Sequence, residues 1–197
     1  MENAAIVRML PAIALGLIFV FAIWHDVRSR RIPNQIIVAG TIAALLLQAL
    51  MPAGAGLFSA PVGSAGMLFS LSGIAVGLLL LLPFYALHTM GAGDVKLMAV
   101  VGAFLGPFGV MGATLLTMLA GGVLALVVAF STGQLLQVIV NIQQMLHTAR
   151  SDRRAGAGVR LKPPVVVTGK LPYAIAIAAG TVGQLMLAGA AEWRLFS

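Results

Sequence analysis

Met90-Gly91-Ala92-Gly93-Asp94-Val95-Lys96-Leu97-Met98 sets a glycine-rich turn and an ionisable pair at the start of an apolar run. An Asp beside hydrocarbon is costly and by default marks a functional site. The run from Val95 ends at Gly106-Pro107, and its eleven residues rise only about 16 Å as a helix, against a hydrocarbon core of about 30 Å. Either this helix starts inside the bilayer or the bilayer is thinned there. Both cases place Asp94 near or below the lipid surface.

Composition fixes the solvent. The chain is 60% hydrophobic and 9% charged, with mean hydropathy +1.05, whereas a soluble domain is about a quarter charged. Spans of about 20 residues each use up most of the 197 residues, leaving room for one bundle. The expectation is an all-α polytopic membrane protein: a single transmembrane domain over residues 1–197, of about six helices. The net charge of +7 lies mostly in loops between apolar runs. Topology and the lipid bilayer explain it, and no nucleic-acid partner is expected. The chain has no cysteine, which excludes disulfides, thiolate zinc sites and cysteine nucleophiles.

The first span covers about Ile6 to Trp24; it is long for a signal-peptide core and its basic residues follow it, so it reads as a retained span. It leads into His25-Asp26-Val27-Arg28-Ser29-Arg30-Arg31-Ile32-Pro33-Asn34. Pro33 suits the first turn of a second span that runs to about Met51. Pro52 to Gly66, rich in Gly, Pro, Ala and Ser, reads as a loop. The third span is about Met67 to Leu87, the fourth is the short run after Asp94, the fifth about Val110 to Phe130 and the sixth about Leu171 to Ala191. Between the last two, Leu135, Val138, Ile139, Ile142, Met145 and Leu146 recur at helical spacing against Gln134, Gln137, Asn141, Gln144 and His147. That is an amphipathic helix suited to the interface. A basic stretch from Arg150 to Lys170, broken by Gly and Pro, completes a cytoplasmic segment over 131–170.

Lys and Arg divide unevenly between the two sides of this six-span order. Arg28, Arg30, Arg31, Lys96, Arg150, Arg153, Arg154, Arg160, Lys162 and Lys170 make ten on one side, against Arg8 and Arg194 on the other. The richer side is cytoplasmic and both termini are periplasmic. The end of span one and the start of span four then share the cytoplasmic face, where Asp26 and Asp94 can meet.

Glu2 and Glu192 fall on the outer side, and Asp152 lies among arginines, so two carboxylates remain. Carboxylates sharing a site hold one proton between them, leaving one as base toward water and the other as acid toward a carbonyl. This aspartic-protease chemistry needs no metal and no cofactor. Gly91 and Gly93, lacking Cβ atoms, let a substrate backbone approach beside Asp94. Other chemistries lack their residues. His25, His88 and His147 show no His-Glu-x-x-His spacing, no Gly-x-Ser-x-Gly elbow is present, and Gly91-Ala92-Gly93 lacks the rest of a phosphate-binding signature.

Gly91-Ala92-Gly93-Asp94-Val95-Lys96-Leu97, with Asp26 ahead of Arg31-Ile32-Pro33-Asn34 and with Leu171-Pro172-Tyr173-Ala174-Ile175-Ala176-Ile177-Ala178 opening the last span, resembles the type IV prepilin peptidase family. The resemblance implies a bacterial inner-membrane aspartic endopeptidase that removes the short basic leader of prepilins or pseudopilins at the cytoplasmic face. It implies Asp26 and Asp94 as the catalytic pair. Larger members of that family carry a domain with paired Cys-x-x-Cys motifs and also N-methylate the new terminus. With no cysteine, this chain resembles the short branch associated with tight-adherence (Flp-type) pili, and no methyltransferase activity is expected.

Plainer readings stand beside these. Gly91 to Asp94 reads also as an interhelical turn with Asp94 capping the fourth helix. Asp26 reads as an ion-pair partner for Arg28 or Arg30. Arg28, Arg30, Arg31 and Lys96 serve topology more readily than they contact substrate or lipid headgroups. His25 and His88 suit the interface, and Gly73, Gly77, Gly102, Gly121 and Gly122 suit close helix packing. Two other functions share the pair of aspartates. One is a Gly-x-Gly-Asp intramembrane protease with non-pilin substrates; the other is a small transporter moving protons or cations, for which internal repeats and a second interrupted helix are missing.

Overall fold

The computed structural model describes residues 2–50, 66–87, 90–133, 140, 143 and 172–195, with side chains described from 10 to 189 within those ranges. Its elements are α1 (Glu2–Ser29), α2 (Asn34–Leu50), α3 (Gly66–Ala86), α4 (Ala92–Ser131) and α5 (Tyr173–Leu195). No strand occurs among the described residues. The chain divides into two compact units, residues 1–121 with 172–197, and residues 122–171. The second unit contains the end of α4. Apart from Val140 and Gln143, both helical, the expected amphipathic helix and basic stretch lie outside the described residues, as do His88 and the loop after Leu50.

The first unit is apolar on its outside. Leu46, Leu68, Leu79, Leu115 and Leu119 are all more than half exposed, while Asp26, Ser70, Thr114, Thr117 and Thr181 are buried. A surface of that kind suits acyl chains rather than water. The buried hydroxyls of Ser70, Thr114 and Thr181 donate to the carbonyls of Ala103, Val110 and Ile177, which offsets the cost of burying them; that of Thr117 has no partner among the described residues. The chain is an all-α polytopic membrane protein.

At its centre is the first arm of α4, residues 92–105, in which Leu97 to Leu105 are buried without exception. A helix that is apolar on all sides belongs inside a bundle. It runs antiparallel to α3: Ser70 bonds Ala103, Gly77 faces Met98, and the Gly73 and Gly102 backbones touch where either Cβ would collide. From α2, Gly40 packs against Val100, and Gln48 Nε2 donates to the Phe104 carbonyl at 3.4 Å.

The arm ends at Gly106, with φ 71° and ψ −177°, a conformation essentially reserved for glycine; a Cβ there would strike the Phe69 ring. Beyond it Gly112 faces Gln184, Thr117 faces Gly180, and Gly121 faces Tyr173, so the second arm runs antiparallel to α5. Since Tyr173 adjoins the residue bonded to Asp26, the chain reverses at Gly106-Pro107. The first arm leaves the end of the bundle that holds Asp94, and the second returns to it. The predicted fourth and fifth spans are these two arms of one 40-residue helical element.

Three helical stretches are long and apolar enough to cross a membrane: Leu10–Ser29, Gly66–Ala86 and Ala92–Ser131; Asn34–Leu50 and Tyr173–Gly189 are apolar but shorter. Two boundaries differ from expectation. α1 continues to Ser29, five residues beyond Trp24, so Asp26 lies within the helix and not in the connecting segment. α4 opens at Ala92, placing Asp94 in its first turn instead of ahead of it. Hydropathy marks where lipid contact ends; backbone hydrogen bonding carries a helix further. At α1 the polar residues assist, because His25 Nδ1 bonds the Phe21 carbonyl at 2.8 Å and Ser29 Oγ donates to that of His25 at 2.7 Å.

Candidate active site

Leu15, Phe19, Ala22 and Asp26 follow one another at spacings of four, three and four, and all are buried. This is the inward stripe of α1, and it carries the carboxylate of Asp26 into the bundle at 7% exposure. Asp26 Oδ2 accepts a hydrogen bond from Ala174 N at 3.0 Å. That amide belongs to the first turn of α5, whose N–H groups have no partner within the helix and form its positive end. Four residues after Asp26 the helix closes. Arg30 N donates to the Asp26 carbonyl at 2.9 Å, and Arg30 takes φ 53°, the left-handed conformation that often ends a helix.

Asp94 is built locally. The Gly91 carbonyl accepts from Asp94 N at 3.1 Å and Val95 N at 3.4 Å, while Asp94 Oδ2 accepts from Gly91 N at 3.2 Å. The last of these is one half of a capping box, the carboxylate reaching back to the amide at the start of the helix; Gly91 has no side chain to make the other half. That bond occupies one carboxylate oxygen; the other makes no hydrogen bond among the described residues. The capping reading and a chemical one are therefore compatible in Asp94.

The charge of Asp26 acts on Asp94, and that of Asp94 on Tyr173, so the three groups occupy one electrostatic neighbourhood. The turn between α1 and α2 is fastened to the start of α4. Ile32 lies where a Cβ on Gly93 would meet it at 3.3 Å, and Lys96 Nζ donates to Asn34 Oδ1 at 2.9 Å. The Cβ position of Gly91 comes 3.1 Å from Asp94 Oδ2. Lys96 thus bonds Asn34 rather than a carboxylate.

Arg28, Arg30 and Arg31 are exposed at the end of α1 and its turn. Arg28 joins Val20, Ile23, Trp24 and Val27 along an apolar groove of about 590 Å³, on a different face of α1 from Asp26. No group of three or more His, Cys, Asp or Glu is placed to hold a metal ion among the described residues. Three partners in this neighbourhood stand within the motifs, but the sequence alone assigns them no role: the amide of Ala174, the phenol of Tyr173 and the side chain of Asn34. Pro172, fit to open a helix, marks where α5 begins but not what its first turn holds.

No curated protein and no solved structure matches the chain. The model of the type IV leader peptidase family matches residues 13–126, more than half of the sequence, including Asp26, Asn34 and the whole of Gly91 to Lys96. A protease on an apolar helical bundle, the chain belongs to the type IV leader peptidase family.

Proposed function

We propose that the chain is a membrane aspartic endopeptidase that removes the basic leader of prepilins or pseudopilins at the cytoplasmic face of the bacterial inner membrane. Flp-type pilins are its substrates, and it does not methylate the new terminus. The observation that carries this reading is the approach of two carboxylates from different helices, Asp26 from α1 and Asp94 from the first turn of α4, within one electrostatic neighbourhood. The pair shares one proton. The ionised carboxylate takes a proton from water as the water oxygen bonds to the scissile carbonyl carbon, and the protonated one gives its proton to the carbonyl oxygen. The resulting diol collapses: the carboxyl that holds the proton gives it to the amide nitrogen, the C–N bond breaks, and the other carboxylate takes the proton of a diol hydroxyl as the C=O bond re-forms. The two carboxyls are then back in their starting state.

The ten cytoplasmic against two periplasmic Lys and Arg support the face assigned to the site and periplasmic termini. Residues 1–197 form one peptidase domain, with 131–170 on its cytoplasmic side. The test is to reconstitute the chain in liposomes with candidate prepilins and to follow cleavage by mobility, sequencing and weighing the new N-terminus. The expected result is one cut after the basic leader and an unmethylated product. Uncut prepilins, or a methylated terminus, would each overturn the corresponding part.

A further inference from the structure

Two carboxylates supply a base and an acid, and the acid alone faces the carbonyl oxygen while water attacks, leaving room for a second donor on that oxygen. A hydrogen-bond donor aimed at that oxygen lowers the barrier where charge develops. Lys96, the nearest cation of the Asp94 turn, is committed to Asn34. Tyr173 is differently placed. It opens α5, one residue before the amide that holds Asp26, and it lies within the field of Asp94. It is partly buried, and its hydroxyl makes no hydrogen bond among the described residues, so the donor is available to a bound substrate.

The position of the ring is set from the opposite helix. At Gly121 on the second arm of α4, a Cβ would come 2.6 Å from the phenol oxygen and 2.8 Å from the ring carbon that bears it. The missing side chain is the space the phenol occupies. Resting on the peptidase reading above, we infer that Tyr173 is the third catalytic residue of the site, its phenol donating a hydrogen bond to the oxygen of the scissile carbonyl. The phenol keeps its proton throughout. The acidic carboxyl protonates the oxygen, the basic one receives the proton of water, and Tyr173 stabilises the oxygen as its bond to carbon lengthens.

The experiment uses the full chain in liposomes, with a prepilin on which the wild type is measured in parallel, and separates kcat from KM. Tyr173→Phe keeps the ring and removes the donor; kcat falls by about 10²- to 10³-fold, the cost of one lost oxyanion donor, with KM and the thermal unfolding midpoint unchanged. Gly121→Ala keeps the hydroxyl but displaces it, and kcat falls by about tenfold or more. Wild-type kcat in either variant, or a change confined to KM, overturns the inference while leaving the peptidase reading intact. If Tyr173→Phe does not fold, Gly121→Ala decides alone. Absence of cleavage by the wild type removes the peptidase reading, and this inference with it.

Discussion

Asp26 and Asp94 are held in opposite ways. Asp94 is fastened by its own neighbourhood, since the amide that bonds it is Gly91, three residues back in the same turn. Asp26 is fastened by Ala174, 148 residues further along the chain, and is nearly enclosed. A carboxylate of the first kind is in place once its turn forms. One of the second kind takes its orientation only when α5 has docked. Substitutions in the first turn of α5 therefore act on Asp26 through space, although nothing in sequence links the two.

The largest effect tests whether the difference in support hides an equality in role. Asp26→Asn and Asp94→Asn should each reduce prepilin cleavage by about 10³-fold or more, with the double variant no worse than either, because groups that act as a unit do not contribute additively. Membrane insertion and expression, read by immunoblot of membrane fractions, should stay normal. Next, Ala174→Pro deletes the amide that holds Asp26 in the first turn of α5, and because it also presses on the backbone of Tyr173 its effect is read beside that of Tyr173→Phe. A hydrogen bond to a charged group contributes about 1.5–3 kcal/mol, so cleavage should fall by about 10- to 100-fold at roughly 1.4 kcal/mol per factor of ten. Gly91→Ala leaves the other amide intact but sets a methyl against Asp94 Oδ2. Its initial rate should drop by about tenfold or less, since a displaced carboxylate at a helix end can shift. A Gly91→Ala loss larger than that of Ala174→Pro would reverse the ranking of the two supports. The smallest expected effect is none: treatment with zinc chelators should leave the rate unchanged, and loss on chelation would reopen a metal mechanism.

What the sequence made legible follows the same division. The turn at Gly91 to Asp94 could be read as a site from nine residues because its hydrogen bonds are local. The break at Gly106-Pro107 was legible for the same reason, and the arms on either side of it fall close to the runs from Val95 and Val110. Asp26 was reached by counting acids and basic flanks, yet its place inside α1 was not, since hydropathy stops at Trp24 while the helix continues to Ser29. The Lys96 bond to Asn34 joins residues 62 apart, and the phenol of Tyr173 over Gly121 depends on the reversal of α4 and the docking of α5. The residues stand in motifs, but nothing in the sequence says which touches which, because each contact requires two helices to be side by side.

The most direct test of the central claim, that the two carboxylates share one site, uses the absence of cysteine from the chain. Asp26→Cys with Asp94→Cys gives a protein with only those two thiols, treated in membranes with a short bifunctional thiol reagent. A protease site placed in the stretch between α2 and α3 then allows the chain to be cut between them. The two fragments should stay joined in the double variant and separate in each single one. Fragments that separate in the double variant, when a monofunctional reagent shows both thiols to be reactive, would contradict it.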